Sequence, residues 1–152
     1  MIEIHDTKPS RSNLLRVIAR WFLASLYMVA GYFHLILPQP FLEITPLWVP
    51  YASLVIYVTG WCEIAGALAL IQPWIPRLRR WAGWSLAAYA LCVWPANINH
   101  MLLDLPRPGH GAGLAYHIPR LLAQPVLIWL ALWVSNVIDW PCRSSTKPGP
   151  HK

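Results

Sequence analysis

Apolar residues run through this chain in four long blocks, separated by short segments rich in proline, glycine and charge. The blocks cover approximately residues 15–37, 51–71, 81–101 and 121–140. Each matches the roughly 20 helical residues that cross about 30 Å of hydrocarbon. The pattern predicts an all-α integral membrane protein, and short connections favour an up-down-up-down four-transmembrane-helix bundle. Residues 1–13 then form an N-terminal tail, 14–141 the membrane domain and 142–152 a C-terminal tail. The first block is too long for a cleavable signal peptide and continues past any small-residue cleavage site, so it is read as the first helix. Small residues at Ala30, Gly31, Gly60, Gly66, Ala67, Ala87 and Ala88 would let these helices approach closely.

Composition strengthens the membrane reading. The 152 residues are 57% hydrophobic and only 12% charged, against about 25% charged in a soluble domain. Of the ten tryptophans, Trp21, Trp48, Trp74, Trp81, Trp94 and Trp140 fall near the ends of the blocks, where indoles sit at headgroup level. The net charge of +6 is placed to set topology. Lys8, Arg11, Arg16 and Arg20 precede or open the first block; Arg77, Arg79 and Arg80 join the second and third; Arg143, Lys147 and Lys152 follow the fourth. The intervening outer segments carry almost no Lys or Arg, so the positive-inside rule makes both termini cytoplasmic. Anionic lipid is the partner this charge implies, and no nucleic acid is expected. Cys62, Cys92 and Cys142 are far apart without a C-x-x-C pair, which argues against a dithiol motif or cysteine zinc site. Cys62 and Cys92 are read as small apolar fillers, and no metal site is expected.

The polar residues inside the blocks carry the candidate chemistry. The third block ends in VWPANINHM, residues 93–101, where Pro95 loosens the helix ladder and Asn97, Asn99 and His100 follow. Such groups are tolerable in lipid only where they face protein or a wet cavity. Asn97, His100, Met101 and Asp104 share one helical stripe, and His117, Arg120 and Gln124 share another. His34 lies near the same outer level at the end of the first block. Glu63 is the deepest ionisable group, about 18 Å below the outer end of its helix, at a depth shared with Tyr27 and Tyr89. A lone mid-span carboxyl costs about 3 kcal/mol to insert, so it should be protonated or paired. Glu63 is therefore the candidate proton-handling residue, with His34, Asn97, His100, Gln124, Arg120 and Tyr89 as ligand-binding candidates. The competing account of Asn97 and Gln124 is hydrogen-bonding between helices. The proline-rich outer loop 38–50 would pack on the bilayer surface as a short helical turn and act as a lid. The second outer loop, containing His110, is rich in proline and glycine.

Four segments together resemble the DoxX family of small four-helix membrane proteins: AGYFH at 30–34, PLWVP at 46–50, GWCEIAGALAL at 60–70 and WPANI at 94–98. The likeness runs from about residue 30 to residue 99 and extends weakly into RLLAQP at 120–125. His34, Glu63 and Asn97 fall on positions typical of that family's pattern. The family takes its name from a subunit of a thiosulfate:quinone oxidoreductase, and no catalytic role comes with the matched residues. The resemblance implies a small multi-pass protein of the bacterial inner membrane that supports a quinone-linked redox process, as an oxidoreductase subunit rather than an autonomous enzyme. Quinone is the cofactor this reading favours; haem held by His34 and His100 is the lesser expectation. Two other readings stay open: a scaffold for partner membrane proteins, and a proton-coupled carrier of a small solute, which would call for a homo-oligomer.

Overall fold

The computed structural model describes residues 11–107 and 111–140. His110, Cys142, Lys8, Arg143, Lys147 and Lys152 lie outside the described residues, with most of both tails. The described residues form five α-helices and no strand: α1 (Arg11–Ile36), α2 (Gln39–Ile44), α3 (Ala52–Ile71), α4 (Pro76–Asp104) and α5 (Leu114–Val134).

The helices overrun or shift from the apolar blocks for identifiable reasons. The described part of α1 opens at Arg11, ahead of the first apolar block, and its early turns are held by polar contacts. The buried Arg16 guanidinium bonds the side chain of Asn136 and approaches Asp139 at 3.3 Å, and Arg20 Nε donates to the Val134 carbonyl at 2.9 Å. α4 starts at Pro76, whose fixed φ and missing N–H suit a first helical position. It then runs through Pro95 to Asp104. The fourth block, expected at 121–140, is displaced toward the N-terminus. Gly113 at φ 70° opens α5, and Asn136 at φ 61° closes it. The Asn136 amide bonds Trp133 and the Val137 amide bonds Leu132, a left-handed cap that takes up the last carbonyls.

The four long helices pack in closed order, α1 on α3, α3 on α4, α4 on α5 and α5 on α1, while α2 rests against α3 and α4. Leu23, Tyr27, Ala67, Leu70, Leu86, Ala131 and Val134 form the core. Large apolar residues such as Val29, Leu54, Trp61 and Leu122 point outward. Three helices, α1, α3 and α5, are long and apolar enough to cross a membrane. α4 is the longest, but it opens on Arg77, Arg79 and Arg80 and closes on amides, His100 and Asp104, of which Asn97 and Asp104 are buried. Cys62 and Cys92 are exposed free thiols rather than packed fillers, and Cys92 lines an open cavity between the helices.

α1 and α3 approach each other closely at two glycines. A Cβ on Gly31 would stand 2.6 Å from the Gly60 carbonyl oxygen, and one on Gly60 would stand 2.9 Å from His34 Cβ. Neither position has room for a methyl group without moving backbone. Replacing Gly31 by Ala is therefore expected to destabilise the fold by about 1–3 kcal/mol through overpacking. Thermal unfolding in detergent, compared with Ala30→Gly on the same helix, measures this.

Candidate functional site

The glycine crossing places two ionisable side chains face to face. His34 follows Gly31 by three residues on α1 and Glu63 follows Gly60 by three on α3, so each lies about one turn from the contact. His34 Nδ1 stands 2.9 Å from Glu63 Oε2, and both side chains are more than nine-tenths buried. The two atoms are close without being aligned, and neither has a hydrogen-bond partner among the described residues. The pair thus leaves polar atoms that a third group could meet. The edge of His34 packs against Phe41 of α2, with ring centroids 4.0 Å apart and planes at 89°. The Tyr89 hydroxyl faces Glu63 and Thr59, and Tyr27 meets Tyr89 edge to face at 6.2 Å.

This pair forms part of the wall of a cavity of about 420 Å³ between the helices. The volume is in the range of small-molecule pockets, about 300–1,000 Å³. Its lining is mostly apolar, including Leu23, Ala30, Phe41, Ile44, Val55 and Leu127, with a few polar groups converging on it. Of the residues singled out from sequence, His34, Glu63, Tyr89, Asn97, Arg120 and Gln124 all contribute to this one wall. Gln124 Oε1 is buried and has no partner among the described residues, so it is also available to a ligand. α2 covers one side. Its last carbonyl, at Ile44, accepts from Asn99 Nδ2 at 2.9 Å, and Thr45 Oγ1 bonds the Phe41 carbonyl at 2.7 Å. The segment 38–50 therefore does lie over a cavity, held there by an amide from α4.

His100 belongs to a second cluster. It touches Arg120 through Nδ1 and meets His117 and Tyr116 edge to face, at 5.0 and 6.1 Å between centroids. His34 and His100 thus have different partners. His117 is fully buried, and its Nε2 lies 2.9 Å from Asp104 Oδ2. The same carboxylate oxygen accepts the Ala112 amide at 2.7 Å, while Arg107 Nη1 stands 3.4 Å from Oδ1. Beyond the apolar part of α4, the hydrogen bond from His117 and the Ala112 amide hold the Asp104 carboxyl below its ordinary value. One ring nitrogen from each of His100 and His117 and one oxygen of Asp104 lie within 4.8 Å of one another.

Sequence reasoning set Asp104 on the stripe with Asn97 and His100 without finding its partner. The pairing depends on the turn between α4 and α5, which periodicity does not describe. Phe41 and Thr59 were also missed, since an aromatic in a loop and a hydroxyl in a helix are ordinary. The depth of Glu63 and the outer level of His34 pointed to the site, and the signal that could have paired them is the shared spacing of a glycine and an ionisable residue three positions later, at Gly31 and His34 and at Gly60 and Glu63.

Gly111 adopts φ 54°, and a Cβ there would run into the Asp104 carboxylate. Gly111→Ala is expected to push Asp104 off the Ala112 amide and His117. Faster hydrogen exchange of the Ala112 amide and the first turns of α5, with α1 and α3 unchanged, checks this.

Comparison with curated proteins matches none, and comparison with solved structures matches none. One family does match, described as Domain of unknown function (DUF8561), over residues 23–135. That stretch takes in the second half of α1, all of α2, α3, α4 and α5, and the whole cavity lining. The chain belongs to this family.

Proposed function

We propose that this protein is a multi-pass protein of the bacterial inner membrane that binds a small, largely apolar ligand of the quinone class and exchanges a proton with its polar end. The observation that carries the reading is the unaligned His34–Glu63 pair in the wall of an apolar cavity. An apolar ring system fits between Phe41, Ile44 and Leu127, and a carbonyl or hydroxyl head meets groups that can give or take a proton. Asn97 and Gln124 hold the same head by hydrogen bonds. Asn99, through the Ile44 carbonyl, keeps α2 over the cavity.

In this reading α4 is a fourth span. Its 29 residues extend about 43 Å, enough for the hydrocarbon core and both interfaces. Its contacts with both α3 and α5 favour the up-down-up-down bundle with cytoplasmic termini that the basic residues point to. The cavity then lies in the outer half of the membrane, reached beneath α2. The likeness to DoxX proteins at 30–34, 60–70 and 94–98 favours a role beside a membrane oxidoreductase, which would supply the electrons while this chain supplies the ligand site and the proton.

The test is equilibrium binding of a short-chain benzoquinone, and of its hydroquinone, to the full chain in lipid nanodiscs, with proton release or uptake read by a pH indicator. Saturable binding is expected, weakened about fivefold to tenfold by Phe41→Ala. Glu63→Gln should retain binding but lose the linked proton. Absence of saturable binding, or proton exchange unchanged in Glu63→Gln, would overturn the proposal.

A further inference from the structure

We infer that His100, Asp104 and His117 form a site for a divalent transition metal of the zinc class, at the junction of α4 and α5. Two imidazoles and one carboxylate are the donor set of open zinc sites, in which water takes the fourth position. The three ligand atoms, within 4.8 Å of one another, surround a common centre. Zinc bonds of about 2.0–2.2 Å place tetrahedral ligand atoms about 3.3 Å apart. The 2.9 Å contact between His117 Nε2 and Asp104 Oδ2 has to open by a few tenths of an ångström, and the wider separations have to close by side-chain rotation.

Two features distinguish this cluster from an ordinary buried hydrogen bond. First, His100 and Asp104 are four residues apart on α4, so both side chains leave the same helix face, and α5 brings the fully buried His117 to them. Second, the carboxylate is already oriented. Ala112 donates to Asp104 Oδ2, and the positive φ of Gly111 leaves the space that the carboxylate fills. Such outer contacts are what fix a metal-ligating carboxylate in place. His100 is only partly buried, which gives the ion a route in.

Arg120 closes the metal-free site. Its guanidinium has only N–H groups to offer, so it donates to His100 Nδ1 and places a positive charge beside the cluster. Arg107 is 3.4 Å from the other carboxylate oxygen, but its side chain is largely exposed and free to turn away. The affinity for a cation is held down by the Arg120 charge on His100. The inference is independent of what occupies the cavity.

The experiment uses the full chain in detergent, stripped with a chelator and titrated with zinc chloride by calorimetry, with cobalt(II) absorption reporting the ligand field. One zinc ion per chain is expected. His100→Ala, Asp104→Asn and His117→Ala should each weaken binding about tenfold or more, whereas Arg120→Gln should tighten it. Because His117 is fully buried, His100→Ala and Asp104→Asn carry the test if His117→Ala fails to fold; Asn keeps an oxygen for the Ala112 amide. The gain in Arg120→Gln is a result that damage to the fold would not produce. The inference is overturned if zinc fails to bind saturably to the folded wild type, if His100→Ala and Asp104→Asn bind it unchanged, or if Arg120→Gln shows no gain.

Discussion

The crossing of α1 over α3 at Gly31 and Gly60 is the constraint on which the candidate site depends. With no side chain on either glycine, the Gly60 carbonyl fits where a Cβ on Gly31 would be. In lipid, helices gain little from hiding apolar surface from one another, so close van der Waals contact between small residues is a main source of association. The same contact brings His34 and Glu63 to 2.9 Å. A wider crossing would leave a single carboxyl in an apolar wall, at a cost of a few kcal/mol. Packing and site chemistry therefore rest on one pair of glycines.

The two ends of the molecule divide the work. Near the start of α1 and the end of α5, Arg16 bonds Asn136 and lies 5.2 Å from the Trp133 ring, and Trp129 stacks on Trp133 at 5.5 Å. Leu23, Leu70 and Val134 pack tightly there, with no side-chain exposure. Toward the other end, where α1 and α3 stay in contact at their glycines, the cavity lies among the helices and α2 is laid over it. Asn97, Gln124 and the His34–Glu63 pair, expensive to bury, are concentrated where space remains for a ligand. That arrangement answers why a span would end in VWPANINHM. Asn97 turns into the cavity, Asn99 reaches out to hold α2, and His100 joins the cluster at the α4–α5 turn.

Arg120 connects the two clusters. It lines the cavity and also contacts His100, beside Asp104 and His117. Occupation of either site changes what this guanidinium has to face. The cavity and the α4–α5 junction are thus adjacent parts of one polar layer, with Arg120 between them.

The sequence by itself determined the apolar helices and the residues worth watching. Periodicity and length mark helices regardless of their neighbours, and Glu63, His34, Asn97 and Gln124 stand out because each is costly in an apolar run. Sequence spacing also showed that His117, Arg120 and Gln124 share a face. Tertiary structure decided the pairings. Which nitrogen meets which oxygen depends on the angle and depth of helix crossings, which one helix's pattern does not contain. The shift of α5 toward Leu114 likewise came from Gly113 and Asn136 adopting positive φ. That shift brought His117 to Asp104, a contact fixed by the path of the turn at Gly111 and Ala112 rather than by any apolar period.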